Sequence, residues 1–408
     1  TKLSKFFLLT LRTYTSTLNE LLFDKNWTKD AKGDALMHKH NQRWIHRSTL
    51  ITAMSLALAI LATPASAAEV KIYGRTDAGF LVQHLKGGDT TYELKSGGRS
   101  TPRIGINAVE KLPNGWEAKV YLENGFKMDT GEFGTKETLF DRRSIVALKG
   151  PWGELGMGRA GTVQSTMAPY SMGSIKWDPF GTSYGFTSVG STFANTSRTD
   201  NGLYYHSPSF SGVRFGLSYS LGDKGDDAVE WDEKAHTLAM AVNYSTKDVW
   251  VGLTYANVKA KDAGALTMPD ANLVQLGGWW RFVPEWRLFA GFGYQDKFAS
   301  AGKMTRKVSL AAGKRNETFT GSSYLLGADW VHGAGKVLMS VQHFRGKADN
   351  LADVKLNRTV GSVAYEYSLR KNVILYTALN RSIVGGDSTQ SDNSLDGTQF
   401  YAGLNFNF

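Results

Sequence analysis

The sequence predicts an all-β fold: a transmembrane antiparallel β-barrel of about 16 strands, each near the ~9 to 11 residues that cross a bilayer when tilted, with an inward-folded third loop. Three features predict it. From Glu69 onward apolar and polar residues alternate with period two for tens of residues at a time. The alternating segments come in pairs, joined by short turns and separated by longer polar stretches. One joint, Ala160 to Ser197, is long and nearly uncharged, with Lys176 and Asp178 its only ionisable residues. Averages over the chain hide all this: a hydrophobic fraction of 42% and a mean hydropathy of -0.28 read as soluble. Strands with one greasy and one wet face give that weak signal.

The first 67 residues read as a leader and its upstream extension. Met37 opens a basic run (Lys39, Arg43, Arg47), followed by the apolar stretch Leu50 to Ala62 and then Thr63-Pro64-Ala65-Ser66-Ala67. A charged start, a short apolar core and small residues before the cut make a secretory signal peptide over 37–67, with cleavage expected after Ala67. The core is too short for a spanning helix. Residues 1–36 fit no processing pattern and are expected to be a non-native upstream extension, with translation starting at Met37. Residues 68–408 are then the barrel. Removing the leader takes nine of 47 Lys/Arg and four of 37 Asp/Glu, which lowers the net charge from +10 to about +5. Those charges are scattered through alternating segments and form no nucleic-acid face. The absence of cysteine excludes disulfides and thiolate metal sites and fits an exported chain.

The strands follow in order. Val70, Ile72, Gly74, Thr76, Ala78, Phe80 and Val82 make one face; Lys71, Tyr73, Arg75, Asp77, Gly79 and Gln83 make the other, with Leu81 an apolar exception. A polar loop is expected next. Arg103 to Leu112 then turns through Pro113-Asn114-Gly115 into Trp116 to Glu123. Asp141–Leu148 pairs with Glu154–Arg159, Gly202–Ser207 with Val213–Leu221, and His236–Tyr244 with Trp250–Val258. Asn272–Phe282 pairs with Trp286–Tyr294, Tyr324–Trp330 with Val337–Phe344, and Thr359–Tyr367 with Val373–Asn380. Phe400 to Phe408 closes the chain. Strands alone cross lipid only when every backbone group is paired, so the sheet must close.

The joint between Ala160 and Ser197 carries Tyr170, Trp177, Phe180, Tyr184, Phe186 and Phe193 among Ser, Thr and Gly. Such a segment is too aromatic for a solvated linker, and a loop that long inside one domain needs a surface to cover or a function. It is expected to fold into the lumen and narrow it.

At these residues the chain resembles the general-diffusion porins of Gram-negative bacteria, in particular the trimeric sixteen-stranded family of beta-proteobacteria. The matching pieces are Ile72 to Gly79, Arg103 to Ile106, Leu139 to Arg142, Gly156 to Arg159, Asp178 to Gly181, Arg198 to Pro208 and the terminal Phe408. The resemblance implies a homotrimer in the outer membrane, surrounded by lipid and lipopolysaccharide, and recognition of the last strand by the barrel-assembly machinery. It also implies a pore constriction of wall arginines facing the inward loop, carried over to Arg103, Arg142 and Arg198. Alternation adds Arg75, Lys119 and Arg159. Family members place acidic residues on the loop; here Asp178 alone remains, so positive charge is in excess.

Other constellations are set aside. Gly156-Met157-Gly158-Arg159-Ala160-Gly161 matches a dinucleotide fingerprint but lacks the following helix, and reads better as a bend in a wall strand. The histidines His84, His206, His236, His332 and His343 have no paired spacing, so neither catalysis nor a metal or cofactor is expected. Met167 and Met172 read as packing groups. The expected function is passive diffusion of small hydrophilic solutes and ions through a water-filled channel with weak anion preference. Two alternatives stand beside it. One is a substrate-selective channel for a small sugar or organic anion, with Trp177 and Tyr184 as a greasy track. The other is an adhesive surface protein whose pore is incidental.

Overall fold

The structure is a computed structural model; it describes residues 68–222, 235–259, 270–299, 318–349, 354–386 and 395–408, so the leader and extension expected over 1–67 lie outside the described residues. Strands β1 (Glu69–Leu85), β2 (Thr90–Ser96), β3 (Arg103–Lys111), β4 (Glu117–Gly125), β5 (Arg143–Gly150), β6 (Gly153–Gly161), β7 (Arg198–His206) and β8 (Val213–Ser220) make the first half. The second half holds β9 (His236–Ser245), β10 (Val249–Lys259), β11 (Ala271–Val283), β12 (Trp286–Phe298), β13 (Phe319–His332), β14 (Gly335–Ala348), β15 (Lys355–Arg370), β16 (Val373–Gly386) and β17 (Gly397–Asn407). All belong to one antiparallel sheet.

The sheet closes on itself. β1 pairs with β17 from Arg75↔Asn407 to Leu85↔Gly397, and Gly74 and Phe408 exchange backbone hydrogen bonds of 2.9 and 3.0 Å below that register. Closure leaves no edge, which is the condition for crossing lipid on strands. The 17 segments occupy sixteen wall positions, because β2 and β3 both pair with β1, over Ala78–His84 and Glu69–Arg75 respectively. The stretch Gly97–Pro102 interrupts that shared position and turns inward.

Alternation sorts the two faces as period two requires. Val70, Ile72, Phe80, Leu276, Leu326 and Phe400 are exposed on the outside, whereas Asp77, Gln275, Gln295, Gln342 and Asn405 are buried within. Aromatics gather at the short-turn end: Trp116 meets Trp152 edge-on at 4.8 Å, and Trp286 stacks on Trp330 at 5.6 Å. That is where a ring with an apolar body and a polar tip meets the membrane interface.

Four expectations differ from the structure. Thr90–Ser96 is a strand, not a polar loop; its exposed Tyr92 and Leu94 lie opposite Val82 and Phe80 of β1, so it continues the outer apolar face. Asp141 and Arg142 precede β5 and lie in a bend, where Asp141 Oδ1 accepts the Gly125 N–H at 2.8 Å. β7 starts at Arg198 rather than Gly202, carried past a register shift opposite Gly158/Ala160. The later strands are longer than a bilayer needs, up to 16 residues in β15, so they extend the wall beyond the lipid. The bend expected at the glycine run is that same irregularity, with Gly158 at φ 129.

Candidate pore constriction

The chain between β6 and β7 folds inward and lies along one side of the lumen. Its two ends are pinned together: the Thr162 and Thr196 hydroxyls bond each other, and Gln164 Oε1 accepts the Thr196 N–H at 2.7 Å. Tyr170 stacks on Tyr204 at 5.0 Å, and its hydroxyl donates to Glu154 at 3.1 Å. Met172 packs where Gly216 leaves room, and a Cβ there would lie 2.5 Å from its sulfur.

From Trp177 onward the loop crosses β11 to β17. Trp177 sits on Gly277 of β11 and Gly291 of β12, where added Cβ atoms would come within 2.3 and 2.1 Å of the ring; only glycine leaves this seat. Phe193 meets Trp177 edge-on at 5.2 Å. Phe180 and Tyr184 pack with Leu81, Tyr376 and Tyr401, which explains the apolar Leu81 on a wet face. Polar contacts alternate with apolar ones: Thr192 Oγ1 donates to Gln342 at 2.7 Å, Ser323 Oγ to the Thr192 carbonyl at 2.7 Å, and Gln275 Nε2 to the Ala194 carbonyl at 2.6 Å. Arg358, fully buried, donates to Ser382 and the Ser191 carbonyl and lies over Phe186.

The tip docks on the inward stretch between β2 and β3. The Tyr184 N–H donates to the Gly98 carbonyl at 2.7 Å, and the Tyr184 hydroxyl to Glu366 at 2.7 Å. Arg99 forks onto the same carboxylate at 2.8 and 2.9 Å. Asp77 accepts the Arg99 and Ser100 N–H groups and the Tyr376 hydroxyl.

The opposite side, β1 to β7, is lined by cations. Arg75 and Arg103 are directly opposed across β1 and β3. Glu123 on β4, 4% exposed, gathers Arg142 at 2.8 Å, Arg143 at 2.6 Å and Arg103 at 3.8 Å, and accepts the Tyr73 hydroxyl at 2.7 Å. Arg75 donates to Asn407 at 2.6 Å, and Arg198 to the Arg142 carbonyl at 3.0 Å. Like charges a few ångströms apart repel by about 4 kcal/mol per pair even at an effective dielectric of ~20, so Glu123 is what permits the cluster. With Asp141 beside Arg198 and Asp77 beside Arg75, five cations against three carboxylates still leave the surface positive.

The predicted residues separate into three groups. Arg75, Arg103, Arg142 and Arg198 are brought together. Arg159 and Lys119 lie on the same wall but are matched by their own carboxylates, Arg159 by Asp200 and Lys119 by Glu117 and Glu154 at 3.1 Å each. Asp178 does not face the arginines. It is 5% exposed, and its Oδ1 accepts the Phe180 N–H at 3.0 Å, closing a turn of its own loop. Burial pushes its carboxyl up to about 8, against the pull of the Phe180, Val189 and Gly181 N–H groups. Lys176 is the exposed charge of the loop, with Arg214 as its neighbour.

Trp177 and Tyr184 cannot be a greasy track: they are 1% and 0% exposed and serve to seat the loop. Sequence reading missed Arg143, Glu123, Arg99 and Glu366. Strict alternation allows one of Arg142 and Arg143 to point inward, but Arg142 lies ahead of the strand and escapes that rule. Glu123 was legible as a charge on the wet face of β4.

A Gram-negative porin family profile matches residues 53–386. The chain is 30% identical to an outer membrane porin protein of Bordetella pertussis over 372 residues, covering 79% of this chain and 91% of that one. It is 27% identical to outer membrane porin protein 32 of Delftia acidovorans over 334 residues, covering 79% and 86%. Among solved structures, the anion-selective porin from Comamonas acidovorans superposes with a TM-score of 0.64 at 22% identity, covering 84% of this chain and all of that one.

Proposed function

Because this chain belongs to the Gram-negative porin family, we propose that it is a general-diffusion channel of the outer membrane with a weak preference for anions. The carrying observation is the cluster of Arg75, Arg103, Arg142, Arg143 and Arg198, three of which share the carboxylate of Glu123. A permanently charged guanidinium near a low-dielectric wall raises the local concentration of anions at any working pH. The loop opposite adds an exposed lysine and a carboxyl that is buried and largely protonated at pH 7, so it offers little to attract cations. The anion selectivity named for the Comamonas porin is in line with this reading.

The channel acts on small hydrophilic solutes and ions without chemistry. Its apolar outer band meets outer-membrane lipid and lipopolysaccharide. We further infer a homotrimer, delivered by a signal peptide over 37–67 and assembled by the barrel-assembly machinery through the strand ending at Phe408. A planar bilayer with asymmetric potassium chloride tests the proposal. A reversal potential showing chloride more permeant than potassium is expected; a clear cation preference would overturn it.

A further inference from the structure

On the loop side of the lumen, toward the short-turn end, a second group of cations stands apart from the first. The register of β11 and β12 sets Arg281 directly opposite Arg287. Same-sign charges in that relation destabilise a sheet. Both guanidinia are held at one indole: Arg281 Cζ lies 5.8 Å and Arg287 Cζ 5.3 Å from the Trp279 ring centre, and Arg287 also lies 5.1 Å from that of Phe289. On the neighbouring strand Asp329, 1% exposed, takes the Nε of Arg287 at 3.1 Å. Its second oxygen is shared by Arg287 and by Lys336 at 2.9 Å. Both oxygens of this one carboxylate are therefore engaged, and among the described residues the Arg281 side chain has no hydrogen bond or carboxylate partner.

Three cations against one carboxylate leave two positive charges in excess beside an aromatic surface. Stacking on a ring restrains a guanidinium while leaving its N–H edge able to donate, the geometry that suits an oxygen pair. We propose that Arg281 and Arg287, restrained by Trp279, form an anion site of their own for small oxyanions, carboxylates or phosphate, at the mouth opposite the long loops. An anion in this site offsets the repulsion between the opposed arginines, which links occupancy to the stability of the wall. The inference rests on the channel reading and deepens it, since it names the solute class that would be retained on passage.

The test is single-channel recording of the refolded chain in potassium chloride with added inorganic phosphate. Saturable reduction of the chloride current is expected. Arg281→Gln, which orphans no buried carboxylate, should raise the half-blocking phosphate concentration about tenfold, the worth of one charge-assisted pair. Arg281→Lys, which keeps the charge but not the fork, should fall between. An unchanged half-blocking concentration in Arg281→Gln, with block abolished by Arg142→Gln, would assign all phosphate to the other wall and overturn the inference. Normal conductance with no phosphate block would overturn it and leave the channel reading intact. Absence of channels in the wild type would overturn both.

Discussion

The two sides of this lumen are built by opposite means. Along β8 to β17 the inward loop is held by buried rings and by hydrogen bonds with little charge, centred on Trp177 against two glycines. Along β1 to β7 the surface is held by ion pairs converging on Glu123. Apolar burial is not screened by salt, whereas partly exposed charges are screened within about 8 Å at physiological ionic strength. The difference separates two jobs at the constriction: one side fixes the size of the opening, the other the charge facing it.

The largest effect should come from breaking the apolar side. Trp177→Ala removes a ring that is 1% exposed and costs about 3 to 5 kcal/mol at its seat. The loop should leave the wall, single-channel conductance should rise, and larger sugars should enter liposomes carrying the protein. Gly291→Val, which fills the seat from the wall side, should do the same. Conductance equal to wild type in both variants would mean the loop does not set the opening.

The charged side should break differently. Changing Arg103, Arg142 and Arg198 together to Gln leaves Glu123 with Arg143 and Tyr73. The reversal potential should move toward cations, most at low salt, while the heat stability of the assembled protein changes little. A shift independent of ionic strength would place the selectivity elsewhere.

How much of this was legible depends on which physical rule governs each part. Both strands of all seven hairpins were readable, because a wall between lipid and water forces period two on every strand. The loop's inward course was readable from its length, low charge and aromatic content, while Leu81, an apolar residue where a wet one was due, found its explanation only in the packing of Phe180 and Tyr184. Asp178 was set opposite the arginines by the resemblance alone, and no sequence pattern signals that its carboxyl is buried and turned onto the Phe180 N–H of its own loop. Arg99 and Glu366 were out of reach: they are distant in sequence, and a six-residue interruption between β2 and β3 brings them together.

A finer test addresses the join between the two sides. Tyr184→Phe keeps the ring contacts with Tyr376 and Tyr401 at 5.4 and 6.1 Å but removes the hydroxyl donor to Glu366. One hydrogen bond to a charged group, about 1.5 to 3 kcal/mol, should be lost. The loop tip stays docked through the Gly98 carbonyl, so mean conductance should hold while short-lived current substates become more frequent. Substates at the wild-type frequency would show that the tip is fixed by packing alone.

The smallest effect concerns pH. The Asp178 carboxyl, ordinarily near 3.8, is lifted to about 8 because burial penalises its charged form. A raised carboxyl gives its stabilising contribution in full below its unfolded value and loses it as pH rises through the folded one. The loop should therefore be firmest below about pH 4 and loosen progressively up to about pH 8, with current noise increasing over that interval. Asp178→Asn keeps an oxygen to accept the Phe180 N–H but cannot ionise, so its noise should stay flat across the same interval. If both proteins grow noisier together, the titrating group lies on the wall and not in the loop.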